Sequence, residues 1–276
     1  MVEEVAIYEL TGMKAYFNSE SGVSVTLDGH CHLHRLNHAR VNRGYNDMNM
    51  ADVLTKIAGP YTLSVDTDIE TEPEPFMLQR ELTDFEYLLM LTREHNCYMW
   101  SNNKTIYFKK ETDTGAEEIV LERGKTLTSF TGGSQSGRLF TSVCVRGRNP
   151  DTGEFLEATV NADAVMKKIG EDNAATMHIE KNLGKYKQNY FDYSIKDKKG
   201  AEDRAAQILE QNSMDYIRYT GECQGNPKIR AGMTVTIKGM GEIFSGKYLV
   251  KQAEHELVPL QGYTTSFEAV RNTRKS

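Results

Sequence analysis

Hydrophobic and polar residues alternate over much of this chain, a pattern typical of strands that bury one face. Residues 23–27, Val-Ser-Val-Thr-Leu, show the alternation near the N-terminus, and residues 140–146 show it again further along. The dipeptide Asp28-Gly29 and closely spaced glycines after residue 220 mark turns between such segments. The pattern predicts a mainly β protein with α insertions, an α+β chain.

Two helices and a hairpin are predicted between residues 47 and 110. Asn49 is a good N-cap for a helix that ends at Gly59-Pro60. Thr83 and Glu86 have the spacing of a capping box, which begins a second helix. Two short apolar segments, 97–100 and 105–108, follow with a four-residue turn between them. This region therefore predicts a helix-helix-hairpin insertion.

The remaining segments have weaker patterns. The acidic, proline-containing stretch 66–75 is expected to be an exposed connection. A short helix is expected over 161–169 and a better one over 201–211, where apolar residues recur at helical spacing. Three tyrosines share one short segment and predict a β-hairpin with aromatic cross-strand pairs: Tyr186, Tyr190 and Tyr193.

Composition excludes several classes of protein. With 39% hydrophobic residues the chain has the composition of an ordinary globular protein, and its formal net charge of −6 argues against general nucleic-acid binding unless one face carries a basic patch. No apolar run reaches the length of a membrane span, and the first residues lack the features of a signal peptide. The cysteines have no CxxC spacing and are predicted to be buried free thiols in a reducing compartment: Cys31, Cys97, Cys144 and Cys223.

One segment suggests chemistry, because His30, His32 and His34 would share one face of a strand. Three imidazoles so placed could bind zinc or copper and serve a metal-dependent hydrolase. The other interpretation is a partly exposed strand whose polar face carries histidine. The chain has no nucleophile elbow, phosphate-binding loop or H-E-x-x-H motif. We therefore predict no catalytic residue and no cofactor.

The C-terminal region carries the longest ordered set of motif residues, which are Gly225-Asn226-Pro227, Gly232, Gly246, Tyr248, His255, Gly262 and Tyr263. Proline pre-sets a turn, glycines suit positive-φ sites, and Tyr248 alternates with lysines as a barrel strand requires. This order closely resembles the hub proteins of contractile tails, namely the phage late-control protein D family and the hub portion of type VI secretion spike proteins. The resemblance covers nearly the whole chain and is strongest over 200–270.

The resemblance implies two β-barrel-type hub domains with a helix-helix-hairpin insertion. Residues 1–46 would be the remainder of a first barrel whose opening strands are missing, 47–122 an α/β insertion, and 123–276 a second barrel with a helical insertion. Since only residues 272–276 follow Arg271, the resemblance also implies that the spike is a separate polypeptide or was cut away.

The function that the resemblance implies is structural. A homotrimer would act as a symmetry adaptor between a sixfold tube and a threefold spike, with the tail tube protein, the central spike protein and other baseplate proteins as partners. It would not bind membranes by itself or recognise nucleic-acid sequence. It would be made in the bacterial cytoplasm and assembled into a virion tail or an injection particle. A monomeric carbohydrate-binding β-domain is a further alternative.

Overall fold

The computed structural model describes residues 7–18, 22–110, 118–149, 152–165, 168–170, 173–193, 195–214 and 216–274. The chain divides into two compact units, Met1–Thr114 (unit 1) and Gly115–Ser276 (unit 2). Strands dominate and helices interrupt them, so the prediction of a mainly β protein with α insertions is confirmed.

The described residues of unit 1 form seven strands and two helices. In chain order they are β1 (Glu9–Asn18), β2 (Gly22–His30), β3 (Arg40–Met48), α1 (Met50–Ala58), β4 (Ser64–Thr67), β5 (Glu74–Thr83), α2 (Asp84–Glu94), β6 (Tyr98–Asn102) and β7 (Thr105–Lys109). A 3₁₀ helix spans His32–Asn37. The strands form two antiparallel pairs, β1-β2 and β3-β5, and a three-stranded sheet in the order β4-β7-β6.

The helix-helix-hairpin prediction for unit 1 is confirmed. The side chain of Asn49 accepts a hydrogen bond from the backbone N–H of Asp52 at 2.9 Å and caps α1. Both capping-box bonds of α2 form: Glu86 N–H donates to Thr83 Oγ1 at 3.1 Å, and Thr83 N–H donates to the Glu86 carboxylate at 2.9 Å. The apolar sides of both helices pack with β7 and Tyr45 in one core.

In the part of unit 2 that the structure describes there are eleven strands and three helices, of which β8 (Ile119–Glu122) is the first. The others are β9 (Leu127–Ser134), β10 (Ser142–Arg148), β11 (Phe155–Asn161), β12 (Asn173–Ala174), α3 (Ala175–Leu183), β13 (Lys187–Phe191), α4 (Lys198–Ser213), β14 (Ile217–Gln224), β15 (Thr234–Lys238), α5 (Gly241–Phe244), β16 (Gly246–Val258), β17 (Gly262–Arg271) and β18 (Thr273–Arg274). A short 3₁₀ helix spans Ala162–Ala164.

The principal sheet of unit 2 has six strands in the order β8-β15-β16-β17-β14-β9 and curls into a half-barrel. Its concave side is filled by inward-facing apolar residues, among them Tyr248, Val250 and Phe267. A second sheet has the order β11-β10-β13, and α4 packs on it through Ala201, Ala205 and other small or apolar residues. Alternation within each strand is what lets the sheets bury one face.

Three local predictions differ from the structure. The segment 161–169 forms only the three-residue 3₁₀ helix in its described part. The three tyrosines do not form a hairpin, since β13 is an edge strand that pairs in parallel with β10. The stretch 66–75 is a connection in its middle, but β4 and β5 take its two ends and Ile69 is buried. The long-range partners of β13 and Ile69 decide these outcomes, and local sequence does not encode such partners.

Candidate functional site

Residues 225–233 join β14 to β15 and contain four of the motif residues, so we call them the motif loop. Main-chain and side-chain hydrogen bonds hold this loop against β17. Gly225 N–H donates to the Tyr263 carbonyl at 2.8 Å, and Asn226 N–H donates to Thr265 Oγ1 at 3.0 Å. A Cβ at position 225 would lie 2.1 Å from the Tyr263 ring, so only glycine fits this close approach. Pro227 then directs the chain into the turn.

His255 links the same loop to both strands of the β16-β17 hairpin. Its Nε2 lies 3.0 Å from the Ile229 carbonyl, an acceptor, which requires the Nε2–H form. Its Nδ1 is then free to accept from the hydroxyls of Tyr263 at 2.9 Å and Thr265 at 3.1 Å. Both ring nitrogens are therefore engaged in holding the fold.

A buried arginine holds the turn that precedes β16. Arg271 is fully buried, and its guanidinium lies 4.9 Å from the centre of the buried Tyr248 ring, a cation–π contact. It donates to three main-chain carbonyls, those of Ile243, Ser245 and Thr273, at 2.7, 2.9 and 3.1 Å. Gly246 has φ 136°, and a Cβ there would lie 2.5 Å from Arg271 Nη1. Sequence reasoning missed Arg271, because an arginine at a strand end usually lies in solvent.

The other motif residues also serve the strands. Gly232 N–H donates to the Val250 carbonyl at 2.7 Å, which joins the motif loop to β16, and Gly262 begins β17 after the hairpin turn. The nine motif residues thus lie in one unit, and the contacts described for them join loops to strands.

The histidine segment does not form the predicted strand face. Strand β2 ends at His30, whereas His32 and His34 lie on the 3₁₀ helix that follows. His30 is exposed and His32 is buried. In the part of the chain that the structure describes, no group of three or more His, Cys, Asp or Glu side chains is placed to bind a metal ion. The prediction of a shared strand face is wrong, because the chain leaves the strand at Cys31.

The same segment anchors the β1-β2 hairpin through Glu9. Arg35 makes a two-bond ion pair with the Glu9 carboxylate. His34 Nδ1 lies 3.5 Å and His32 Nε2 lies 3.7 Å from the same carboxylate. The hydrogen bond from Arg35 holds the pKa of Glu9 below its usual value. The histidines therefore surround a carboxylate at the base of the hairpin.

The hairpin itself presents a strongly apolar side. Residues opposite each other in an antiparallel pair point to the same side, so the register places three pairs together. We call this set the apolar hairpin face: Met13 with Leu27, Ala15 with Val25, and Phe17 with Val23. All six residues are exposed, Phe17 to 80%. The opposite side carries Lys14, Tyr16, Ser24, Thr26 and Asp28 and is more polar.

A second exposed apolar surface lies in unit 2, along β13. It consists of four aromatic residues on the two sides of this edge strand, which we call the aromatic edge: Tyr186, Tyr190, Phe191 and Tyr193. The rings of Phe191 and Tyr193 lie 4.7 Å apart, and Tyr193 is 83% exposed. Within the described ranges β13 pairs only with β10, so its outer edge is open. Exposed aromatic clusters of this kind are common at protein interfaces.

No helix in the described ranges is both long enough and apolar enough to cross a bilayer. Exposed apolar surfaces such as the apolar hairpin face and the aromatic edge are typical of sites that contact other proteins.

Comparison with known sequences identifies one family. A family model described as the Alg8 N-terminal domain matches residues 13–258. A search of curated protein sequences found no match.

Solved structures resemble almost the whole chain. The prophage MuSo2 43 kDa tail protein from Shewanella oneidensis has a TM-score of 0.71 at 12% identity, over 95% of this chain and 78% of that one. A tail protein from Neisseria meningitidis MC58 has a TM-score of 0.68 at 10% identity, over 97% and 80%. An Escherichia coli type VI secretion component, described as similar to T4 bacteriophage tail proteins, has a TM-score of 0.60 at 10% identity, over 97% and 62%. The chain therefore has the fold of tail and baseplate hub proteins.

Proposed function

We propose that this chain, which belongs to the Alg8 N-terminal domain family, is a structural, non-catalytic hub of a contractile injection machine. The observation that carries the proposal is the similarity of its fold to tail proteins over at least 95% of the chain. A tail hub works by holding other proteins in fixed positions, which requires a rigid fold. The contacts of His255 and Arg271 contribute to such rigidity, because they join loops to strands.

We infer a homotrimer that adapts a sixfold tube to a threefold spike. The chain has two β-rich units, so three copies supply six, the number of positions that a sixfold tube presents. Contacts in a cyclic trimer are heterologous, which means that two different surfaces of the chain meet. The apolar hairpin face and the aromatic edge are two such surfaces.

The domain roles follow from the same proposal. Residues 1–46 would belong to a first barrel, 47–122 to an insertion, and 123–276 to a second barrel. The partners would be a tail tube protein and a central spike protein, and assembly would place the chain in a virion tail or injection particle after synthesis in the bacterial cytoplasm.

Native mass spectrometry of the purified chain tests the proposal, because it reports subunit number and bound metal together. We expect a metal-free species at three times the 31.2 kDa chain mass. Class averages from electron microscopy should then show a threefold ring with a central channel. A stable monomer that carries one zinc ion would contradict the proposal and favour the hydrolase. In that case His32→Ala should abolish metal binding.

A further inference from the structure

The described residues of the chain leave the apolar hairpin face exposed to solvent. A two-stranded hairpin alone is marginally stable in water and needs a further layer on its hydrophobic side. Within the described residues, β1 and β2 pair only with each other, and the six residues of the face are exposed. Because apolar residues lie on one side of the hairpin and more polar residues on the other, we expect the apolar side to be covered in the assembled protein.

We propose that the apolar hairpin face of one copy packs on the aromatic edge of the next copy. This inference rests on the proposed homotrimer and deepens it, because it assigns the surfaces that meet. The occupant of the face is thus a second copy of this chain.

The size of the face favours a repeated contact over a separate partner. Three residue pairs extend along about 17 Å of strand, and the two strands lie about 5 Å apart. Such a footprint is a few hundred Å², well below the roughly 800 Å² per partner of a standard interface. A different protein held by this face alone would bind weakly. In a closed ring every copy makes the contact twice, once with each surface, and neighbouring surfaces add to it.

The aromatic edge has the chemistry to meet this face. None of the ten side chains that define the two surfaces is charged, while Lys187 and Arg146, which share one side of the sheet with Phe191, would have to stay at the rim in contact with water. Tyr193 and Phe191 supply two exposed rings that lie side by side, and Met13 and Phe17 supply exposed apolar side chains to meet them. The tyrosine hydroxyls can stay at the rim of the contact, as tyrosines at interfaces commonly do.

Sedimentation velocity of the full chain tests the contact with a matched pair of variants. Phe17→Lys puts a charge on the apolar hairpin face, whereas Tyr16→Lys puts the same charge on the neighbouring residue of the opposite side. Both residues are exposed, so neither change should disturb the monomer, and circular dichroism with Trp100 fluorescence checks this. We expect Phe17→Lys to weaken trimer association at least about tenfold and Tyr16→Lys less than about twofold.

Tyr193→Lys identifies the opposing surface. It should also weaken trimer association about tenfold. The double variant Phe17→Lys/Tyr193→Lys should weaken association by less than the product of the two single effects, because both substitutions disrupt the same contact. If the effects multiply, or if Phe17→Lys trimerises as well as Tyr16→Lys, the inference is overturned and the trimer stands. If the wild type stays monomeric at every concentration, both the proposed function and this inference fail.

Discussion

Replacement of Arg271 by methionine would test how strongly its guanidinium stabilises the turn that precedes β16. The substitution keeps an aliphatic chain beside the Tyr248 ring and removes the donors to three main-chain carbonyls. A hydrogen bond from a charged group contributes about 1.5–3 kcal/mol. Water that reaches the freed carbonyls, together with relief from burying a cation, offsets part of the loss. We expect the free energy of unfolding of unit 2 to fall by about 3 kcal/mol.

The assay is urea unfolding followed by circular dichroism. Lys247→Met is the matched control. Lys247 is exposed on β16, and its substitution also removes one positive charge and introduces methionine. We expect it to change stability by less than about 0.5 kcal/mol. Trp100, the single tryptophan, lies in unit 1, so its fluorescence follows that unit and should not shift. A loss below about 1 kcal/mol for Arg271→Met would refute the reasoning.

Two further predictions concern the motif loop and the hairpin anchor. Gly225→Ala would press a methyl group into the Tyr263 ring and should cost about 2–3 kcal/mol of unfolding free energy in the same urea assay, whereas Gly133→Ala, with no atom within 4 Å of the added Cβ, should be nearly neutral. Equal effects of the two would contradict the close approach. The pKa of Glu9 is lowered by Arg35, so its contribution to stability is present above the unfolded pKa near 4.5 and is lost as the pH falls through the lower folded value. Hydrogen exchange in β1 and β2 should therefore speed up below pH 4.5 relative to strands of unit 2, and Glu9→Gln should remove that pH dependence.

The elements that the sequence predicted well depend on near neighbours. The capping box joins Thr83 to a residue three positions away, and Asn49 caps α1 over the same distance. Alternation over 140–146 likewise follows from the period of a strand, although β10 itself covers only part of that segment. These signals lie within one turn or one strand, so no knowledge of the rest of the chain is needed to interpret them.

The candidate surfaces and the buried contacts depend on partners far along the chain. Alternation in residues 23–27 correctly predicted a strand with one apolar side, yet only the tertiary structure shows that the described chain does not cover that side. The histidines looked like a strand face, but the chain turns into a 3₁₀ helix and surrounds Glu9. Arg271 is buried because carbonyls from residues 243 and 245 approach it from another turn. Local sequence determines which conformation a segment prefers, whereas burial and charge pairing are properties of segments that meet only when the chain has folded.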